Sequence, residues 1–199
     1  MTEEIELPLP ENKGSSTLEK ALMARRTLRT ITENELPLEQ VFQLLWASYE
    51  ITTVDTDSQG HEFEHRTVPS AGGQFPLVIH TLVAHALFPY DSVNHRLVGL
   101  EMGDFRSFLA EMRLTKMNRV AIHRAPPVAI LTVNNQRAMR NSPSLESVLS
   151  CLHLEAGHAS QNLSLHATVL GLELTTISSF DVAGVRHHRQ STLPLSVVR

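Results

Sequence analysis

Apolar residues recur along this chain at two spacings, one helical and one strand-like, and their order predicts an α+β domain. Ser16 and Glu19 flank the start of the first helical stretch as a capping box, and that helix is expected to run to about Thr27. Pro37 sits where a first helical turn tolerates it, and Leu38, Val41, Phe42, Leu45 and Trp46 then mark a second helix with one buried face. Asp55–Gly60 reads as a turn. The nearly continuous run Leu77–Ala84 predicts a strand covered on both faces. Pro89–Leu97 reads as a turn leading into a short strand, and Phe105, Phe108, Leu109, Met112 and Met117 as a helix that Pro126 and Pro127 terminate. Another strand follows at Val128–Val133.

The longest element starts near Ser142 and Pro143 and carries Leu145, Val148, Leu149, Leu152, Ala156, Ala159, Leu163, Ala167 and Leu170, with Gly171 as its terminator. At about 1.5 Å per residue it would be roughly 40 Å long, the core axis of a small domain. Leu172–Ile177 and Leu193–Val198 complete the strands. Residues 1–15, with two prolines and Gly14, predict a flexible extended arm that orders only against a partner surface, ahead of a single domain over 16–199.

With 42% apolar residues the chain can build a sizeable core, as one domain or as one protomer of an intertwined dimer. A net charge of −4 with both signs dispersed argues against nucleic acid as a partner. Cys151 is the only cysteine, so an intrachain disulfide is impossible and a thiol-rich metal site is excluded, which suits a reducing cytoplasm. The acidic N-terminus and the lack of a run of about 20 apolar residues point away from a signal peptide and a membrane span.

Two segments carry candidate chemistry. Arg66–Pro76 packs Pro69, Ser70, Ala71, Gly72 and Gly73 just ahead of a strand, and adjacent glycines let backbone N–H groups approach a flat or anionic ligand. Upstream, Arg25, Arg26 and Arg29 cluster around Thr27 at the end of the expected helix, either as a solvated charge cluster or as partner to the loop in one ligand site.

Taken with Leu38–Ala47, Gly103–Arg106, Leu154–Leu163 and Leu170–Leu172, these segments occur in an order that resembles the nitroreductase family of FMN-dependent oxidoreductases, most closely its SagB-type dehydrogenase branch. The resemblance implies a nitroreductase-like fold: a central, mostly antiparallel sheet, surrounding helices, one long core helix, and an intertwined homodimer with FMN between protomers. It implies that Arg25 and Arg26 meet the phosphate and ribityl end, that Arg29 lies near N1 and O2 of the ring, and that Thr27 adds a hydroxyl. Pro69, Ser70, Ala71, Gly72 and Gly73 would face the flavin across the dimer interface. Backbone N–H groups in Thr176–Asp181, which holds Ser178 and Ser179, would face N5. The implied activity passes hydride between NAD(P)H or another small-molecule substrate and a nitro, quinone or azoline acceptor.

Departures from the family pattern are equally specific. Ser178 and Ser179 stand where relatives tend to carry glycine, which would strain a backbone that needs positive φ. Arg199 is the only basic residue after the last expected strand, and Arg140–Glu146 lacks the Lys-Tyr pair common in the SagB branch. These departures favour an alternative, a non-catalytic scaffold or small-molecule binder with weakened flavin binding. A remoter alternative is a zinc hydrolase, because His61, Glu62 and His65 match the HExxH pattern, which requires a helix to bring both histidines to one metal. Glu155, His158, Gln161 and Asn162 read as helix polar groups that cap, hydrogen-bond or face solvent. His187 and His188 read as surface groups and Cys151 as a small buried hydrophobe.

Overall fold

The computed structural model describes residues 4–29, 34–83, 86–99, 101–112, 115–140, 144–180 and 195–198. Arg199, His187, His188 and Asp181 lie outside the described residues.

The centre of the molecule is an antiparallel sheet. In spatial order it runs β1 (Glu4–Glu6), β6 (Arg96–Val98), β5 (Ala86–Asp91), β4 (Leu77–Val83), β8 (Pro127–Val133), β10 (Leu195–Val198) and β9 (Leu174–Ile177), with β7 (Glu101–Met102) also paired to β5. Strand parity explains why β4 and β8 read as unbroken apolar runs. Leu77, Ile79, Leu131 and Val133 point into one core with helix α2 (Leu38–Tyr49) and helix α6 (Leu145–Val169). Leu82, Val128 and Ile130 point into a second core with the short helices α3 (Arg106–Ala110) and α4 (Lys116–Arg124). Alternate side chains of one strand therefore fill opposite faces.

Helix α6 ends as the sequence predicts. Gly171 has φ 69°, and the N–H groups of Leu172 and Gly171 donate to the carbonyls of Ala167 and Thr168, a Schellman closure that returns the chain to the sheet. The first helix is shorter than expected: α1 spans Leu18–Ala24, and Thr17 rather than Ser16 caps it, accepting from Lys20 N–H. Arg25 to Arg29 consequently lie beyond the helix in extended chain. The single helix expected from Phe105 to Met117 is two, because Thr115 accepts from Asn118 N–H and starts α4 afresh.

Strands run into the beginning of two expected turns. Pro89 lies inside β5, opposite His80 of β4. On its other side β5 pairs with β7 at Ala86 and Leu87 and with β6 from Tyr90 onward, so the missing proline N–H costs no ladder bond there. Asp57–Gly60 is a turn, but it joins β2 (Ile51–Thr56) and β3 (Glu62–Arg66) into a separate two-stranded hairpin that leads directly into the glycine loop. A short helix α5 (Asn135–Met139) precedes α6.

The N-terminal segment lies on the chain's own body. Glu4–Glu6 pairs with β6, His95 Nε2 bonds the Pro8 carbonyl at 3.0 Å, and Gln43 exchanges two hydrogen bonds with the Glu11 backbone.

Candidate functional site

The glycine loop leaves β3 at Thr67 and turns sharply. Gly72 and Gly73 both adopt left-handed φ, 62° and 61°, and Phe75 does so at 45° despite its side chain. Among the described residues the N–H groups of Ala71 and Gly72 have no acceptor, and nothing lies within 4 Å of the position a Cβ would take on Gly73. A bare surface of backbone donors results, suited to an anionic or flat ligand. Beside it a cavity of about 210 Å³ is bounded by Ser70, Gly72, Gln74, Ala138, Cys151 and Glu155.

The loop is fixed from beneath. Glu155 of α6 is only 2% exposed. Ser70 Oγ donates to its Oε2 at 2.5 Å, and Tyr49 Oη donates to its Oε1. Each hydroxyl also accepts a backbone N–H: Phe75 N to Ser70 Oγ at 2.9 Å, and Leu77 N to Tyr49 Oη at 3.1 Å. Burial pushes the Glu155 carboxyl above its ordinary value, while the two hydroxyls, Arg66 and His158 pull the other way. Burial and the neighbouring Glu155 drive the Tyr49 phenol far upward. Asn162, also on α6, donates to the Thr67 carbonyl at 2.8 Å.

Arg66 belongs to this support and not to the ligand surface. Its guanidinium lies over the rings of Tyr49 and Phe75 and donates to Glu64, the Tyr49 carbonyl and Ser92 Oγ. Glu155 and Asn162 turn inward, whereas His158 and Gln161 face solvent. The sequence carried a signal for this, since Glu155 and Asn162 are seven residues apart and share a helical face with Leu152 and Ala159.

The arginine segment sits elsewhere. Arg25 caps α1 with its N–H on the Ala21 carbonyl, and Leu28 N–H donates to the Leu174 carbonyl at the start of β9. Arg26 Nη1 folds back onto the carbonyls of Met23 and Arg25, both at 2.8 Å. Thr27 and Arg29 are exposed. Among the described residues no carboxylate pairs with Arg25, Arg26 or Arg29, so their charge is available to an external anion. Ser178 and Ser179 follow β9 as exposed residues, and neither has positive φ, so serine is unstrained at both.

These groups do not converge within one protomer. The cavity beside the loop is lined by none of Arg25, Arg26, Thr27, Arg29, Ser178 or Ser179. The loop is tied to α6 at Glu155 and Asn162, and the arginine segment to the strand that follows that helix.

The HExxH motif lies on the β2–β3 hairpin, not on a helix. His61 and His65 bond Asp57 and Asp55 of the same hairpin, at 3.2 and 3.1 Å. In extended chain, residues four apart are separated by roughly 13 Å. One metal ion cannot bridge them.

A family model described as the nitroreductase family matches residues 22–191. A provisionally named nitroreductase of Methanocaldococcus jannaschii is 30% identical over 189 residues, covering 90% of this chain and 87% of the relative. Among solved structures, a provisionally named nitroreductase of Ralstonia eutropha superposes with a TM-score of 0.82 at 22% identity, covering 98% of this chain and 88% of that one. Another from Desulfovibrio desulfuricans, solved in complex with FMN, gives a TM-score of 0.61 at 16% identity, covering 92% and 86%. With the family model spanning most of the sequence and the archaeal relative nearly all of it, the chain belongs to the nitroreductase family of oxidoreductases.

Proposed function

We propose that the protein is an FMN-dependent oxidoreductase that works as a homodimer in the cytoplasm, each flavin held between the arginine segment of one protomer and the glycine loop of its partner. The observation that carries this reading is the division of the ligand groups. Unpaired cations at the half-buried Arg25 and the exposed Arg29, and bare amides at the exposed Ala71 and Gly72, occupy separate places on one chain. A second copy is the simplest way to bring them to one ligand.

The residues fit FMN chemically. A phosphate monoester near its second ionisation wants guanidinium donors, which Arg25 and Arg26 supply, with the Thr27 hydroxyl alongside. A positive charge from Arg29 beside the pyrimidine edge of the ring favours the reduced flavin. The Pro69–Gly73 backbone and the N–H groups near Ser178 and Ser179 would hold the ring plane. Bound FMN would supply hydride transfer at N5, from NAD(P)H or an organic donor to an acceptor of nitro, quinone or azoline type.

The visible absorption of the natively purified protein, with FMN added back where needed, tests this directly. A two-band flavin spectrum bleached by NADH or dithionite is the expected result, with flavin lost from Arg29→Ala and the dimer retained. A colourless protein that takes up no FMN overturns the reading and leaves a scaffold that binds some other small molecule.

A further inference from the structure

Three features of the loop meet at one buried carboxylate. Phe75 holds a left-handed backbone that an aromatic residue rarely adopts, at the point where the loop rejoins β4. Its N–H has the Ser70 hydroxyl as acceptor, so Ser70 and Phe75 are bridged across the Gly72–Gly73 turn. The proton of that hydroxyl goes to Glu155. A serine hydroxyl has one proton to give, so Ser70 oriented this way has none for a ligand.

We propose that Glu155 is the positioning residue of the ligand-facing loop: by accepting the hydroxyls of Ser70 and Tyr49 it turns Ser70 inward as an anchor and presents the Ala71–Gly73 backbone outward. This assignment rests on the flavin reading only for what the loop faces. It reassigns Ser70 from flavin contact to internal strut. It also makes Tyr49 a second strut, because the same phenol fixes Leu77 N–H at the start of β4. Tyr49 from α2 and Ser70 from the loop face the carboxylate, while Arg66 from β3 and the solvent-exposed His158 of α6 act on it through their charge. Among the described residues only the two hydroxyls donate to it. An amide at position 155 keeps the volume but has a single acceptor oxygen, so it must present an N–H to one of the hydroxyls.

The test uses the full-length dimer and the variants Glu155→Gln, Ser70→Ala and the double variant. Two readings are taken: amide exchange at Phe75 in the flavin-free protein, and the dissociation constant of FMN. The Phe75 amide is expected to exchange at least tenfold faster in Glu155→Gln, with protection elsewhere in β4 and α6 retained. FMN affinity should fall about tenfold in each single variant, with little further loss in the double. Unchanged Phe75 exchange in a folded Glu155→Gln dimer overturns the positioning role, as do fully additive losses of affinity. If Glu155→Gln fails to fold, Ser70→Ala and Tyr49→Phe carry the same test, and full Phe75 protection in Ser70→Ala overturns it. A wild-type protein that binds no FMN would remove the flavin reading, while the exchange measurement would still decide the role of Glu155.

Discussion

The guanidinium of Arg66 lies 4.9 Å from the centre of the Tyr49 ring, with its side chain 3% exposed, and so joins the β2–β3 hairpin to the helix beneath the glycine loop. Arg66 donates to a carboxylate, a carbonyl and a hydroxyl while its planar face covers two rings. Arg66→Met keeps much of the stem and loses both the donors and the stacking. A loss of about 2–4 kcal/mol is expected, since buried acceptors are left without partners. Chemical denaturation checks this, and Arg66→Lys should recover only part, because an ammonium group lacks the planar fork.

Tyr49 should remain a phenol wherever the protein is folded. Burial and the adjacent Glu155 raise it far above the ordinary tyrosine value. The chain has two tyrosines, so a Tyr90→Phe variant isolates it. Alkaline titration by ultraviolet difference absorbance should then show no tyrosinate until the protein unfolds. A signal at the ordinary value in folded protein would contradict the buried pairing.

His166 makes the fold sensitive to mild acid. Burial against α2, edge-on to Trp46 at 6.0 Å, depresses the imidazole below its ordinary value of 6.5. The unfolded chain then takes up a proton that the folded one resists, so the contribution of this group is complete above 6.5 and is lost as pH falls below it. Glu155 and Glu50, both raised by burial, act in the opposite sense. The measurable quantity is therefore the difference between wild type and His166→Phe. Melting temperatures of the two should converge or cross as pH drops from 7 to 5.

Gly72→Ala tests the loop backbone without touching the carboxylate beneath it. An added Cβ meets only the Gln74 side chain at 3.6 Å, an ordinary contact, so any cost comes from φ 62°. About 1 kcal/mol of stability should be lost. A larger proportional loss in flavin affinity is expected, because the neighbouring amides would no longer hold their orientation.

How much of this was legible in the sequence depends on which force shapes each part. Helices α2 and α6 and strands β4 and β8 were readable because burial imposes periodicity: Phe42, Leu131 and Leu163 are each about 1% exposed or less. The β2–β3 hairpin was not, because Thr52, Val54, Phe63 and His65 are all exposed and no apolar face alternates along it. Backbone pairing and Arg66 hold it, and neither leaves a composition signal. For the same reason HExxH looked like a metal motif until its strand geometry was seen. The glycine loop and the arginine segment were visible as types of chemistry. Of their support the sequence carried only the helical face that Glu155 shares with Leu152 and Ala159, because its partners Tyr49 and Ser70 lie far away in the chain and meet it only in three dimensions.

The short strand β1 does more than tether the N-terminus. It occupies the outer edge of β6, and its own free edge carries Glu4 and Glu6 on either side of Ile5, with Arg96 paired to Glu4 at 2.7 Å. Three residues with acidic flanks make a poor template for another strand, so the sheet ends there in a charged stop that discourages stacking with other sheets. Trimming the first seven residues would remove this stop and leave the Arg96–Val98 edge of the sheet without its partner strand.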